Sequence, residues 1–529
     1  MLSSIIEAVQ TELQRLEEPR NRTRYFLFGP VDEIETDEVI GFTFQNAPDR
    51  VLRDARYAGS RAQECLFKIG DAFVSGFMAL SANGVTVDFT LDEIAGHGLS
   101  VSRLRSAAER GIEYVMDTRD LTRYLLDFLS ARRDDENAVL EDILSNPRAT
   151  AIDAAAKPSS LGDLNPSQRD AIEKALTQRV TFIWGPPGTG KTKTMAALAA
   201  CLVRAKRRVL LSALSNMALD QLLLATVSRL GEGARGIPIA RLGAQMNPAC
   251  SAFGRASFDR RSFAAKKVGR SWHEHAERSL LVAANFTMLT LPRSPSPGEF
   301  DYVLADEVSM ASLPGLAAAS FYATRGMVLG GDPFQLPPIY PEDAETPNDF
   351  FRRNVFDMAG IENRQDGRVA FLDTQYRMQK EIGDLVSDLF YDNELETGTE
   401  PSPLLPDFGS RVVFVQSTGR VQVTDDEAAD VEEQRRYNEA HAEAVAGYVV
   451  SLLNAGVPAG EIGVITPYNA QLVMVMEKLR AATGDEGGVL VAPQEHPGDD
   501  LSRHGGNGIS RDAPRRGKLG ASGTIKVST

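Results

Sequence analysis

Apolar side chains recur at helical intervals from Ile5 to Leu16, which predicts an amphipathic helix at the start of the chain. Short runs of strand character follow, at Tyr25-Phe26-Leu27-Phe28-Gly29-Pro30, Val39-Ile40-Gly41-Phe42-Thr43-Phe44, Cys65–Ile69 and Val85–Leu91. Together they predict a small, mostly β module. From Val101 to Leu144 the helical period returns, with Leu121–Leu129 its clearest stretch, and Pro147 to Pro158 reads as a linker. Beyond it, the apolar runs Val180–Trp184, Val209–Ala213, Phe300–Ala305 and Val328-Leu329 are buried-strand patterns, each running into a polar turn. Regular patterning fades from Gly231 to Ser279. Gly484 to Gly523 is rich in glycine, proline and charge, so it reads as a long loop or disordered segment.

The turns after these runs carry the candidate chemistry. Val180–Trp184 leads into Gly185-Pro186-Pro187-Gly188-Thr189-Gly190-Lys191-Thr192, after which Met195–Ala200 is a good helix former. A polyphosphate can approach a main chain only where Cβ bulk is absent, and Gly185, Gly188 and Gly190 supply that freedom at a helix start. Pro186 and Thr189 complete the loop. Lys191 places a point charge near the β- and γ-phosphates, and the Thr192 hydroxyl is a ligand for Mg²⁺. The pattern therefore predicts bound ATP and Mg²⁺.

Phe300–Ala305 ends in Asp306-Glu307. Two adjacent acids at a strand end point differently, so Asp306 is assigned to the metal and Glu307 to the general base; a pair of surface acids is the alternative. Val328–Gln335 repeats the arrangement of strand, glycine turn and polar group, and Gln335 is placed to sense a γ-phosphate. Ahead of the phosphate loop, Asn165 is a good N-cap with Pro166 at the first helical position, which makes Gln168 an early-turn residue. Its amide could read adenine, or it could be a surface glutamine on a capped helix.

Composition narrows the class. The 529 residues exceed what one core usually serves, so two to four domains are expected. Lys+Arg of 57 against Asp+Glu of 72 gives a net charge of −15, which disfavours a general polyanion coat but permits a local basic channel. Arg50, Arg53, Arg56 and Arg61 form one basic cluster. Arg260, Arg261, Lys266, Lys267, Arg270 and Trp272, beside His273 and His275, form another that could track a nucleic-acid backbone, though a solvated helix explains it equally well. Cys65, Cys201 and Cys250 make no CxxC pair, so neither a disulfide framework nor a zinc knuckle is expected. With no signal peptide and no bilayer-length apolar run, a cytoplasmic, soluble protein without membrane attachment is expected.

The motifs LNPSQ, GPPGTGKT, SNMALD, DEVSM, GGDPFQLPP, LDTQYRM and ITPYNAQ, between Leu164 and Gln471, stand in the order of the superfamily 1 helicases. The chain resembles their Upf-like group, which includes nonsense-mediated-decay and immunoglobulin-switch-binding helicases. That resemblance implies an α/β fold of two RecA-like P-loop lobes, with an N-terminal barrel-like module and helical stalk. It makes Gln168 the adenine reader, Lys191 and Thr192 the phosphate and Mg²⁺ ligands, Asp306 and Glu307 the acidic pair, and Gln335 the sensor. Tyr376 would stack on the base and Arg377 would reach the γ-phosphate from the second lobe. Ser215, Asn216, Thr466 and Tyr468 match positions that line a nucleic-acid track. Leu214, Asn285 and Met310 depart from the family's usual proline, threonine and glutamine.

The expected division is 1–150 for the module and stalk, 151–365 for the first lobe with a helical insertion near 231–279, and 366–529 for an incomplete second lobe. Family members continue beyond a strand like Thr524–Thr529 into a further glycine-glutamine motif and a second arginine. The expected function is an ATP-dependent, 5′ to 3′ helicase on single-stranded DNA or RNA, monomeric, which in this chain, without those motifs, is expected to bind ATP and Mg²⁺ but to hydrolyse slowly and not unwind processively. The alternative is a nucleotide-gated binding or scaffold protein that clamps a partner without processive unwinding. A ring-forming ATPase is the third class and fits least, since QYRM and GDPFQLPP suit two lobes on one chain.

Overall fold

The computed structural model describes residues 1–18, 24–27, 30–36, 38–45, 47, 51, 63–70, 72–81, 84–115, 119–145, 149–153, 161–234, 236–243, 247, 249–250, 276–291, 294–340, 348–402, 409–415, 422–423, 436–466, 469–483, 489–493 and 523–528. Arg50, Arg53, Arg56 and Arg61, the basic cluster at 260–275, and Tyr468 lie outside them. The chain forms two compact units, one of Met1–Glu17 with Thr118–Ser402, the other of Glu18–Asp117 with Pro403–Thr529. These bounds differ from the expected 1–150, 151–365 and 366–529. The opening helix α1 (Leu2–Arg15) and the 119–145 helices belong with the phosphate-loop unit, and that unit runs past 365 to Ser402.

Within the second unit, strands β1 (Arg24–Leu27), β2 (Asp32–Glu35), β3 (Val39–Phe44), β4 (Gln63–Ile69), β5 (Ala72–Ser81), β6 (Gly84–Thr90) and β7 (Ile112–Val115) pair antiparallel in the order β1-β7-β4-β5-β6-β3-β2. A flat sheet of that order would separate its edges by about 29 Å, but the chain from Leu27 to Asp32 can span only about 18 Å. The sheet must therefore curl. Ile40, Phe42, Phe67, Phe89 and Tyr114 fill its interior, with the rings of Phe67 and Phe89 edge to face at 5.3 Å. Helices α2 (Leu91–Gly96) and α3 (Val101–Arg110) follow β6, capped by the Thr90 and Ser100 hydroxyls. Strand β7 corrects the all-helical reading of 101–144: Gly111, at φ +129°, ends α3, and Ile112-Glu113-Tyr114-Val115 joins β1 and β4.

The first unit is built on a parallel sheet. Strands β8 (Val180–Trp184), β9 (Val209–Ala213), β10 (Ile239–Arg241), β11 (Leu281–Ala283), β12 (Phe300–Asp306), β13 (Ala323–Gly331) and β14 (Val369–Phe371) lie in the order β10-β11-β9-β12-β13-β8-β14. Strands covered on both faces read as unbroken apolar runs, and β8, β9 and the body of β12 are buried throughout. Successive residues serve opposite faces. Phe182 packs with helices α1, α4 (Arg119–Ser130) and α5 (Ala138–Ser145), through Ile5, Val9, Leu129 and Ile143. Ile183 packs on the other side with α6 (Pro166–Thr177), α7 (Lys191–Arg204) and α8 (Asn216–Leu230), through Ile172, Leu198 and Leu223. Short helices α9 (Phe286–Thr290) and α10 (Leu313–Ser320), a parallel pair β15 (Thr374–Gln375) and β16 (Glu396–Thr397), and α11 (Lys380–Phe390) complete the unit. Strand β14 pairs with β8, which is why the unit extends beyond 365.

The C-terminal part of the second unit holds the pair β17 (Gln422–Val423) and β18 (Arg436–Tyr437), then helices α12 (Glu439–Asn454) and α13 (Asn469–Thr483). Strands β19 (Gly463–Ile465), β20 (Val489–Pro493) and β21 (Gly523–Ser528) pair parallel in the order β19-β21-β20. Strand β20 corrects the reading of 484–523 as wholly loop; the remainder of that span up to 522 lies outside the described residues. Among the described residues no helix is long and apolar enough to cross a membrane.

Candidate functional site

The turns singled out in the sequence leave the same end of the parallel sheet, the carboxyl ends of β8, β9, β12, β13 and β14, where open α/β sheets bind ligands. Strand β8 delivers the chain to Gly185, and α7 begins at Lys191 behind Gly190, which sits left-handed at φ +79°, ψ 31°. No side chain caps α7. Its first-turn N–H groups thus await an acceptor from outside the helix, the arrangement that suits an anion. The glycines are sterically required. A Cβ at Gly185 would lie 2.9 Å from Lys191 Cβ, and one at Gly190 2.8 Å from Gln168 Nε2. The Thr189 hydroxyl donates to the Pro186 carbonyl at 2.7 Å and closes the loop.

Gln168 braces this loop from behind. Asn165 and Gln168 form a reciprocal capping box: Asn165 Oδ1 accepts the Gln168 N–H at 2.8 Å, and Gln168 Oε1 accepts the Asn165 N–H at 3.1 Å. Gln168 Nε2 donates to the Thr189 carbonyl at 2.9 Å. The residue is 2% exposed, so it is not the surface glutamine offered as one alternative, and both ends of its amide are engaged within the chain. Each end of the amide makes one bond in this brace and keeps one more, a second N–H and a second lone pair.

Lys191 reaches the end of β12. Its ammonium lies 2.9 Å from Glu307 Oε1 and 3.3 Å from Asp306 Oδ1, and the Thr192 hydroxyl donates to Asp306 Oδ2 at 3.2 Å. Burial favours the neutral amine, but the two carboxylates outweigh it and hold the Lys191 pKa above its ordinary value. Glu307 is left-handed at φ +55°, a conformation that costs a residue bearing a Cβ about 1 kcal/mol or more. Its N–H donates to Asp306 Oδ1 at 2.9 Å, which holds that turn. Among the described residues no cluster of three or more His, Cys, Asp or Glu could hold a metal alone. The Thr192 hydroxyl and the Asp306 carboxylate nonetheless fit Mg²⁺, a hard ion that takes few protein oxygens and completes its shell with phosphate and water.

The sensor turn follows β13. Asp332 is fully buried and its oxygens accept from Trp184 Nε1 at 3.2 Å, the Phe334 N–H at 3.2 Å, Gln335 Nε2 at 2.9 Å and the Tyr391 hydroxyl at 2.7 Å. After β14, the buried Gln375 shapes the next turn: its Oε1 accepts the N–H groups of Arg377 and Met378 at 2.9 and 2.7 Å. The turn lies on the phosphate loop, because the Tyr376 N–H donates to the Gly188 carbonyl at 2.9 Å. Arg377 was expected to come from the second lobe; it belongs to the unit that holds the phosphate loop. Tyr376 is 48% exposed, and its hydroxyl accepts from Asn165 Nδ2 at 3.0 Å.

The expected nucleic-acid positions divide between the units. Ser215 caps α8 through the Ala218 N–H, and Asn216 Oδ1 accepts from Arg241 Nη2 at 3.1 Å and Asn285 Nδ2 at 3.0 Å. Arg241 is buried and pairs with buried Asp220 at 2.6 Å. Thr466, in the other unit, is buried. The structure thus brings Lys191, Thr192, Asp306 and Glu307 together, and sets Tyr376 and Arg377 on their loop. Asp332, Gln375, Tyr391 and the Asp220–Arg241 pair were not anticipated as site residues. Asp332 and Gln375 do lie inside motifs already recognised, whereas Tyr391 and Arg241 carry no local signal.

Two family models, each described as an AAA domain, match residues 163–280 and 352–494. The DNA polymerase alpha-associated DNA helicase A of Schizosaccharomyces pombe is 27% identical over 374 residues, 60% of this chain and 54% of that one. The DNA replication ATP-dependent helicase/nuclease DNA2 of Saccharomyces cerevisiae is 27% identical over 434 residues, 73% of this chain and 26% of its own. The regulator of nonsense transcripts 1 homolog of Drosophila melanogaster is 26% identical over 403 residues, covering 68% and 33%. The chain therefore spans between about a quarter and about half of the length of these curated relatives.

Proposed function

The chain belongs to the superfamily 1 Upf-like helicase family, a P-loop family whose domain implies nucleotide binding, and on that premise we propose that it is an Mg²⁺-dependent ATP hydrolase that moves 5′ to 3′ along single-stranded nucleic acid. The observation that supports this most is the convergence of Lys191, Thr192, Asp306 and Glu307 beneath the uncapped start of α7. The α7 N–H groups and Lys191 bind the phosphates. Thr192 and Asp306 hold the metal, which when bound neutralises phosphate charge. Lys191 then has phosphate oxygens to satisfy it and releases Glu307, whose carboxylate orients and deprotonates the attacking water. Arg377 supplies a planar cation to the phosphoryl oxygens, and Tyr376 offers its exposed ring to the base.

Ser215, Asn216, Thr466 and Tyr468 are proposed to meet the nucleic acid. The named activities of the relatives, DNA helicases and a regulator of nonsense transcripts, point to DNA and to RNA respectively, so the test carries both. ATP turnover is measured with no nucleic acid, with single-stranded DNA and with single-stranded RNA. Stimulation by one of them supports the reading and identifies the substrate. Turnover that neither strand raises would overturn it in favour of a nucleotide-gated binding protein.

A further inference from the structure

We propose that Tyr391 is a positioning residue for hydrolysis, acting through the buried carboxylate of Asp332 on the sensor Gln335; the inference rests on the hydrolase reading above. Tyr391 stands at the carboxyl end of α11, 59 positions from Asp332 in sequence, and is itself buried. Its hydroxyl donates at 2.7 Å to Asp332 Oδ2, the same oxygen that accepts Gln335 Nε2 at 2.9 Å. The other oxygen accepts Trp184 Nε1, from the last residue of β8 before the phosphate loop, and the Phe334 N–H. One carboxylate thereby joins three pieces of the site: the strand end that enters the loop, the turn that carries Gln335, and the helix that follows Arg377.

A carboxylate with no access to water depends on such donors for its orientation. The tyrosine is fixed as a donor from both sides. Burial and the neighbouring Asp332 push its pKa upward, so the hydroxyl keeps its proton. Its ring meets Phe334 edge to face at 5.7 Å, and Phe334 meets Trp184 in the same manner at 5.5 Å. Replacing the hydroxyl with hydrogen preserves this aromatic packing. What changes is Oδ2, which loses a short donor and is free to turn toward another, carrying the Gln335 amide with it. Phosphate binding rests on α7 and Lys191, which Tyr391 does not touch, so the effect should fall on turnover and spare affinity.

The test compares steady-state ATP hydrolysis, with saturating single-stranded nucleic acid, for the unsubstituted chain, Tyr391→Phe, Gln335→Ala and the double variant. Tyr391→Phe should lower kcat about tenfold, as expected for losing a hydrogen bond to a charged group, with KM for ATP unchanged. Because both residues act through one carboxylate, the double variant should be no slower than Gln335→Ala alone. An unchanged kcat in Tyr391→Phe, or effects that multiply in the double variant, would overturn the inference while leaving the hydrolase reading intact. Absence of turnover in the unsubstituted chain would instead remove the hydrolase reading, and this inference with it.

Discussion

The backbone N–H of Tyr376 donates to the carbonyl of Gly188 at 2.9 Å, so the turn that carries Arg377 is hydrogen-bonded to the phosphate loop. Gly188 is left-handed at φ +81°, and a Cβ there would lie 2.6 Å from Arg377 Cβ and 3.2 Å from the Arg377 nitrogen. Gly188→Ala therefore meets both a strained dihedral and backbone it cannot displace, a cost of about 1–3 kcal/mol. It should lower the melting temperature and weaken ATP binding together. A variant that binds ATP with unchanged affinity would show that the two turns separate without consequence.

Lys191→Ala should weaken ATP binding roughly tenfold to a hundredfold, since charge-assisted bonds to the phosphates disappear. The pH dependence has a definite sign. The folded pKa of Lys191 lies above the ordinary lysine value of 10.5, so the stabilisation its charge provides is complete below about pH 10.5 and is lost only as pH rises through the folded value. Calorimetric ATP titrations from pH 6 to 9.5 should accordingly show no basic limb that Lys191→Arg removes. Such a limb would mean that the lysine titrates near neutrality.

Glu307→Gln keeps the length of the side chain and a contact to Lys191 but cannot take a proton from water. It should bind ATP and fall by about a hundredfold or more in turnover. Filter-binding of labelled ATP alongside phosphate release separates the two effects. Turnover at the unsubstituted rate would remove Glu307 as the base.

The nucleotide face is legible in the sequence because its physics is local. Buried parallel strands are continuous apolar runs, and the phosphate loop needs glycines at fixed offsets, so β8, β9, β12 and their turns can be read directly. Strand β7 is hidden because its four residues sit between helical stretches, and its Glu113 is buried opposite Lys68 at 3.7 Å, a pairing visible only once β4 lies beside it. Strand β20 is hidden by the glycine and proline around it. The extension of the unit past 365 depends on β14 pairing with β8, a contact between residues 369–371 and 182–184. Gln168 teaches a related lesson: its capping role is local and readable, whereas its bond to Thr189 is tertiary.

Tyr376→Ala should weaken ATP binding by about 1 kcal/mol, roughly fivefold in Kd, through loss of stacking. Tyr376→Phe removes only the hydroxyl that accepts from Asn165 and should change affinity far less. Equal affinities for the alanine variant and the unsubstituted chain would place the base elsewhere.

The Asp220–Arg241 pair separates stability from recognition. Arg241 is fully buried and Asp220 nearly so; Arg241 Nε donates to Asp220 Oδ1 at 2.6 Å, while Asp220 Oδ2 accepts the Asn247 N–H at 2.9 Å. Asp220→Ala removes the carboxylate paired with a buried guanidinium and should destabilise the unit by about 3–5 kcal/mol, read as a lower urea midpoint. Adding Arg241→Met removes that charge and should recover part of the loss, the bond from the Asn247 N–H to Asp220 remaining lost. Recognition should not recover with it. Arg241 Nη2 is one of two donors holding Asn216 Oδ1, the other being Asn285 Nδ2, so the stable double variant still lacks half of what orients Asn216. Fluorescence anisotropy with a labelled single strand should show weakened binding in the double variant at full folding, with ATP affinity unchanged. Strand affinity that returns along with stability would mean that the pair serves the fold alone and that Asn216 does not depend on it.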